Sequence, residues 1–107
     1  MQKINSNKAK EAIEMFKQGY DKSVKPYLND KAQIAQTELE NLIYAIKLSS
    51  CENDLTRYYH GTTFLVEIDM ILGDLRKNIF PKEGQVQKLE TILAKLELSV
   101  ESGNTYP

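Results

Sequence analysis

Three stretches of this chain carry apolar residues at alternating spacings of four and three. The three sets are Leu28, Ala32, Ala35, Leu39, Leu42 and Ile46, then Leu65, Ile68, Leu72, Leu75 and Ile79, and finally Val86, Leu89, Leu93, Leu96 and Val100. This spacing places one apolar stripe along each of three helices, and the stripes are buried when the helices pack together. The pattern therefore predicts an all-α protein and leaves little room for an enzyme site.

Length and composition restrict the chain to one small globular domain. It has 107 residues, of which 41% are hydrophobic and 27% are charged, and these are ordinary values for a folded domain. The formal net charge is −1, so strong attraction of the whole molecule to nucleic acid or to an anionic membrane is not implied, and no nucleic-acid partner is expected. Residues 1–31 hold seven lysines against four acids, which is typical of a solvated helix face and also compatible with peripheral membrane contact.

Targeting signals are not evident in the sequence. The first eight residues contain no apolar region typical of a signal peptide, and no apolar run has the length needed to span a bilayer. A cytoplasmic location is therefore expected. The single Cys51 rules out a disulfide within the chain.

Breaks and capping residues divide residues 1–107 into four predicted helices. These helices cover about residues 6–20, 28–48, 55–79 and 84–101. The first has a weaker stripe, formed by Ala9, Ala12, Ile13, Phe16 and Tyr20. We expect Asn53 or Asp54 to cap the third helix, Pro81 to end it with Phe80 packed at the corner, and Gly103 to follow the fourth. Short connections favour antiparallel neighbours, so the prediction is an antiparallel four-helix bundle.

A second apolar stripe runs along the third predicted helix. Tyr59, Val66 and Met70 lie roughly opposite its core face when the helix is projected at 100° per residue. Such a helix either sits centrally in its bundle or exposes a patch for a partner, including a second copy of the chain. We favour the central position, because the small bundle must also cover its first helix.

No motif in the chain indicates a reaction. His60 is the only histidine and has no ligand-type residue at i+4, and nothing completes a catalytic group with Cys51. Glu67 and Asp74 share one side of the third helix, which is typical of a pair on a solvated face. The glycines are too scattered for a phosphate loop. We therefore predict a non-enzymatic binding protein with no catalytic residue, metal ligand or cofactor.

The segment from Leu72 to Leu89 has a distinctive order of residues. It reads Leu-Gly-Asp-Leu-Arg-Lys-Asn-Ile-Phe and then Pro-Lys-Glu-Gly-Gln-Val-Gln-Lys-Leu. A basic or polar turn, a hydrophobic-Phe corner and an acidic start to the last helix follow one another. Together with the helix lengths, this pattern resembles the immunity proteins for pediocin-like (enterocin A-type) bacteriocins. Those are cytoplasmic antiparallel four-helix bundles of about this size, often more basic and with longer tails.

The resemblance implies a mechanism that involves no catalysis. An immunity protein of this family would recognise, from the cytoplasm, the mannose-phosphotransferase permease with bound bacteriocin, and would lock it so that no pore persists. The producer is thereby resistant to its own antimicrobial peptide. The family places specificity in its C-terminal half, and this implies five partner-binding candidates: Lys88, Lys95, Leu98, Asn104 and Tyr106.

An alternative function starts from the second apolar stripe. Tyr59, Val66 and Met70 would then be the partner-binding residues of a small helical adaptor, an inhibitor or a self-associating regulatory protein. A homodimer through this face is one form of that alternative.

Overall fold

The computed structural model describes residues 6–48 and 52–103. Within these ranges the chain forms an all-α bundle, which confirms the predicted fold class, but it has five α-helices rather than four. They are α1 (Ser6–Gly19), α2 (Ala32–Leu48), α3 (Glu52–Thr56), α4 (Gly61–Arg76) and α5 (Glu83–Ser102). The predicted Cys51, Asn104 and Tyr106 lie outside the described residues.

The chain stays helical for eight residues after α1 but changes its pitch. A π-helical turn covers Tyr20–Val24 and a 3-10 turn covers Lys25–Tyr27, with Pro26 near the start of the 3-10 turn. Tyr20 and Val24 are both buried, and the Tyr20 ring stacks on Phe16 at 5.7 Å between centroids. Since these turns continue α1, α2 begins at Ala32, four residues after the predicted start.

The three predicted stripes form most of the core. All their members are buried except three partly buried residues, Leu42, Leu65 and Val86, and the exposed Ile79. Phe16 joins α1 to α4 by an edge-on contact with Phe64, 5.0 Å between centroids. The apolar stripes therefore decide which side of each helix faces inward.

Ion pairs join α5 to the first part of the chain. Lys17 Nζ on α1 lies 3.5 Å from Glu97 Oε1, and Lys25 Nζ in the 3-10 turn lies 2.9 Å from Glu90 Oε1. Helix α5 therefore contacts both α1 and the 3-10 turn.

The predicted third helix is interrupted in the structure. Residues 57–60 form a turn between α3 and α4, and Asp54, expected as a cap, lies inside α3. An ideal Cβ on Gly61 would lie 1.5 Å from the carbonyl oxygen of Leu55. Only glycine fits there, and the turn buries Tyr58 while it leaves Tyr59 exposed.

The end of α4 also differs from the prediction. Asn78 adopts a left-handed conformation with φ 58°, and its N–H donates to Leu75 O at 2.9 Å. The Ile79 N–H donates to Asp74 O, also at 2.9 Å, which completes a Schellman motif. The helix therefore ends before Pro81, and Phe80 is 43% exposed rather than packed at the corner.

The last helix agrees with the prediction to within one residue at each end. Gln85 Oε1 accepts a hydrogen bond from the Lys82 N–H at 2.9 Å and so caps the start of α5. At the other end Gly103 has φ 74°, and its N–H donates to Val100 O at 3.3 Å. The predicted role of Gly103 is confirmed.

Replacing Gly61 tests the close approach between α3 and α4. Gly61→Ala is expected to lower the free energy of unfolding by more than about 3 kcal/mol, because the new Cβ meets backbone atoms that cannot move aside. Gly73→Ala is the matched control, since nothing lies within 4 Å of its Cβ position and alanine stabilises a helix interior by about 0.5–1 kcal/mol. Urea unfolding followed by circular dichroism measures both, and equal stabilities for the two variants would contradict the packing described for Gly61.

Candidate functional site

The solvent-facing side of α5 carries two of the predicted partner-binding residues. Lys95 is exposed, and Leu98 is 65% exposed, as the helical projection predicts for a lone apolar residue off the core stripe. The two lie on adjacent turns of one helix. Lys95 forms no ion pair with a carboxylate among the described residues, so its charge is available to a partner.

Lys88 has a different environment from Lys95. Its Nζ lies 2.9 Å from Glu67 Oε1 on α4, and the Glu67 side chain is only 7% exposed. Lys88 therefore neutralises a buried carboxylate, which is costly to leave unpaired. The interpretation of Glu67 as part of a solvated pair is wrong, and Asp74 is also engaged, because its Oδ2 accepts from Gln85 Nε2 at 3.3 Å.

A second candidate surface lies on α4 and the turn before it. Tyr59, Val66 and Met70 are 56%, 49% and 51% exposed, so the predicted central position of this helix in the bundle is wrong. Val66 and Met70 lie one turn apart on the same face of α4. Tyr59 lies in the preceding turn, and its ring contacts His60 edge-on at 4.1 Å between centroids. We name Val66 and Met70 the α4 face.

A third exposed apolar surface lies where α4 gives way to α5. We name residues 77–82 the corner. Ile79 is 50% exposed and Phe80 is 43% exposed, while the following Pro81 is buried. The sequence analysis missed this surface because it placed Ile79 on a core stripe and Phe80 in the packing. The signal that would have found it is Asn78, since asparagine adopts the left-handed conformation more readily than most residues.

Two charged interactions elsewhere hold helices together. The Arg76 Nε donates to Glu40 Oε1 at 3.1 Å and joins α4 to α2, and the pKa of Glu40 is lowered by hydrogen bonds from Gln36 and then Arg76. The pKa of Lys25 is raised by its hydrogen bond to Glu90. These are ion pairs with large exposed fractions, and each contributes little to stability.

The hydroxyl group of Tyr20 is buried in the bundle. The Tyr20 hydroxyl has no hydrogen-bond partner among the described residues, and the pKa of this phenol is raised, first by burial and then by Glu90 and Asp21. Nearby, a groove of about 500 Å³ lies between α1 and α5, with Lys17 and Glu97 among its lining residues. Lys17 and Glu97 form an ion pair with each other in this groove. The groove is lined by both acidic and basic side chains, so its charge does not favour a ligand of either sign.

The described residues contain no group of three or more histidine, cysteine, aspartate or glutamate side chains that could hold a metal ion. In the same part of the chain, no helix has the combination of length and apolarity needed to cross a membrane. The candidate functional features are therefore three surfaces: the solvent side of α5, the α4 face and the corner.

Removing Lys88 tests whether its main role is to neutralise Glu67. Lys88→Ala is expected to lower the free energy of unfolding by about 1–2 kcal/mol, because it leaves a buried carboxylate unpaired. Lys95→Ala is the matched control on the same helix and is expected to change stability by less than about 0.5 kcal/mol.

A double-mutant cycle completes this measurement. Adding Glu67→Gln to the Lys88→Ala variant removes the uncompensated charge and is expected to recover most of the loss in urea unfolding. Additive effects of the two substitutions would contradict the coupling.

The chain was compared with family models, curated proteins and solved structures. No family model, no curated protein and no solved structure matches the chain. The surfaces described above and the resemblance in residues 72–89 are therefore the grounds on which a function is proposed.

Proposed function

We propose that this protein is a non-enzymatic binding module, and that it acts as a cytoplasmic immunity protein against a pediocin-like bacteriocin. The proposal is supported by the all-α fold, by a chain length similar to that of the family, and by the residue pattern from Leu72 to Leu89. The observation that carries it is the exposed Leu98 beside the exposed Lys95 on α5. They lie in the half of the chain to which the resemblance assigns specificity.

The proposed mechanism requires only a protein surface. In it, the solvent side of α5 binds the mannose-phosphotransferase permease after the bacteriocin has engaged it, and the bound module holds the permease so that no pore persists. Burying a leucine side chain contributes about 1.5–3 kcal/mol, which corresponds to roughly a 10- to 100-fold change in affinity. Leu98 is suited to such a contact because its side chain is largely exposed in the free protein.

Protection of a sensitive cell tests this function. The chain is expressed in a bacteriocin-sensitive Gram-positive strain, which is then challenged with a panel of pediocin-like peptides. Wild type is expected to raise the tolerated dose of at least one peptide, and Leu98→Gln is expected to reduce that protection by about tenfold or more. Ile34→Gln is the matched control, since Ile34 is an exposed apolar residue of α2, and it is expected to protect fully.

Two results would overturn the proposal. One is the absence of protection against every peptide of the panel when soluble protein is present in the cells. The other is equal protection by wild type and the Leu98 variant, which would remove the solvent side of α5 from the mechanism.

A self-associating or adaptor function is the second candidate, and the exposure of the α4 face favours it. Val66 and Met70 present two apolar side chains one turn apart. In helix-to-helix docking, residues at this spacing align along one side of the helix. A second copy of the chain could then bury both α4 faces against each other.

Sedimentation equilibrium tests this second candidate. If the α4 face self-associates, wild type is expected to form a dimer and Val66→Lys a monomer of unchanged helicity, because a lysine ammonium opposes burial of the face. Thr37→Lys is the control, as an exposed threonine on a different helix, α2. A wild-type protein that stays monomeric at high concentration would leave no support for self-association.

A further inference from the structure

The corner presents two bulky apolar side chains next to each other outside any helix. Eight of the nine residues from 76 to 84 are exposed, and Pro81 is the buried exception. Ile79 and Phe80 are thus held out at one end of the bundle. The segment is ordered by its own bonds: the Asn78 and Ile79 N–H groups donate to the last turn of α4, and the Lys82 N–H donates to Gln85.

Basic residues flank these two side chains in the sequence. The segment from Arg76 to Gly84 contains three basic residues and one acid, Glu83. Arg76 is bound to Glu40, whereas Lys77 and Lys82 form no ion pair with a carboxylate among the described residues. The corner is therefore locally basic, although the whole chain has a net charge of −1.

The combination fits a lipid surface better than a protein groove. A stable protein interface buries about 800 Å² on each partner, and two half-exposed side chains at a projecting end offer much less. A bilayer has no such requirement, because an aromatic and an aliphatic side chain can enter the boundary between headgroups and acyl chains while lysines stay at the phosphates. The charge is complementary, since anionic lipids attract nearby lysines.

We propose that the corner is a docking site for an anionic bilayer surface, with Ile79 and Phe80 inserted at the headgroup boundary and Lys77 and Lys82 at the lipid phosphates. Lys95 lies twelve residues beyond the start of α5 at Glu83, or about 18 Å along the helix axis. The solvent side of α5 around Lys95 and Leu98 therefore stays clear of the lipid and remains open to a protein partner. This inference does not depend on the immunity function.

Vesicle binding tests the proposal directly. The full chain is sedimented with vesicles of phosphatidylcholine that either contain or lack phosphatidylserine. Wild type is expected to bind the anionic vesicles and to be released by added salt, because screening weakens the lysine contacts. Phe80→Ser with Ile79→Ser is expected to reduce binding by about tenfold or more, while the control Ile34→Ser, also at an exposed apolar residue, is expected to bind as wild type does.

A fluorescent reporter separates insertion from simple charge attraction. The chain has no tryptophan, so Phe80→Trp places a single indole in the corner, and Ile34→Trp places one on α2. Emission from the Phe80 variant is expected to shift to shorter wavelength on anionic vesicles, and emission from the Ile34 variant is expected to stay unchanged. Circular dichroism confirms that each variant is folded.

Three outcomes would overturn the proposal: wild type that does not bind anionic vesicles, unchanged binding by the Ile79 and Phe80 double variant, or no emission shift from the Phe80→Trp variant. Protection against a bacteriocin together with any of these results would overturn the lipid site and leave the immunity function standing. Lipid binding without protection would overturn the immunity function and leave the lipid site standing.

Discussion

The Cβ position of Gly61 falls 1.5 Å from the carbonyl oxygen of Leu55, and the arrangement of the whole second half of the chain depends on this contact. Because two backbones meet there, α4 can begin directly after α3 with only a short turn between them. That turn buries Tyr58 and exposes Tyr59. It also sets the rotation of α4, which directs Phe64 to the core and Val66 to the solvent.

The stripes explain why the all-α fold was predictable. Leu39, Ile68 and Leu96 are buried, and each belongs to a set of apolar residues spaced three or four apart. Any α-helix places residues at this spacing on one face, so the core sides of α2, α4 and α5 can be derived from the sequence. The interruption before Gly61 was harder to predict, because the stripe of the predicted third helix begins only at Leu65 and gives no information on residues 57–60. The corner was harder still to predict. Helix α4 ends at the left-handed Asn78, whereas the sequence places the helix-breaking proline three residues later, at Pro81.

The candidate surfaces differ in how far the sequence could predict them. Leu98 was found by projection alone, because α5 is regular and a residue off its stripe must face solvent. Lys88 is indistinguishable from Lys95 in sequence, and only the fold shows that a buried Glu67 lies opposite it. The exposed fraction of Val66 depends on the number of helices that surround α4, and local pattern does not carry that information.

Two of the surfaces impose different demands on the protein. The solvent side of α5 belongs to a long regular helix, so it presents its side chains at fixed intervals to a rigid partner. The corner belongs to a connection between two helices, and it is held in place by main-chain hydrogen bonds. Its exposed side chains, Ile79 and Phe80, can therefore change with little effect on the core, whereas Pro81 is buried.

The π-helical turn at Tyr20–Val24 restricts where residues can be deleted from or inserted into this chain. A π turn accommodates about one residue more than an α-helical turn of the same height, and here it keeps both Tyr20 and Val24 in the core. Deleting one residue from it would return the segment to α-helical pitch and rotate the downstream residues by about 100°, which would carry Leu28 away from the core. The corner lies outside the helices and has one buried residue, Pro81, so we expect a change of length there to disturb the core less than one in the π turn.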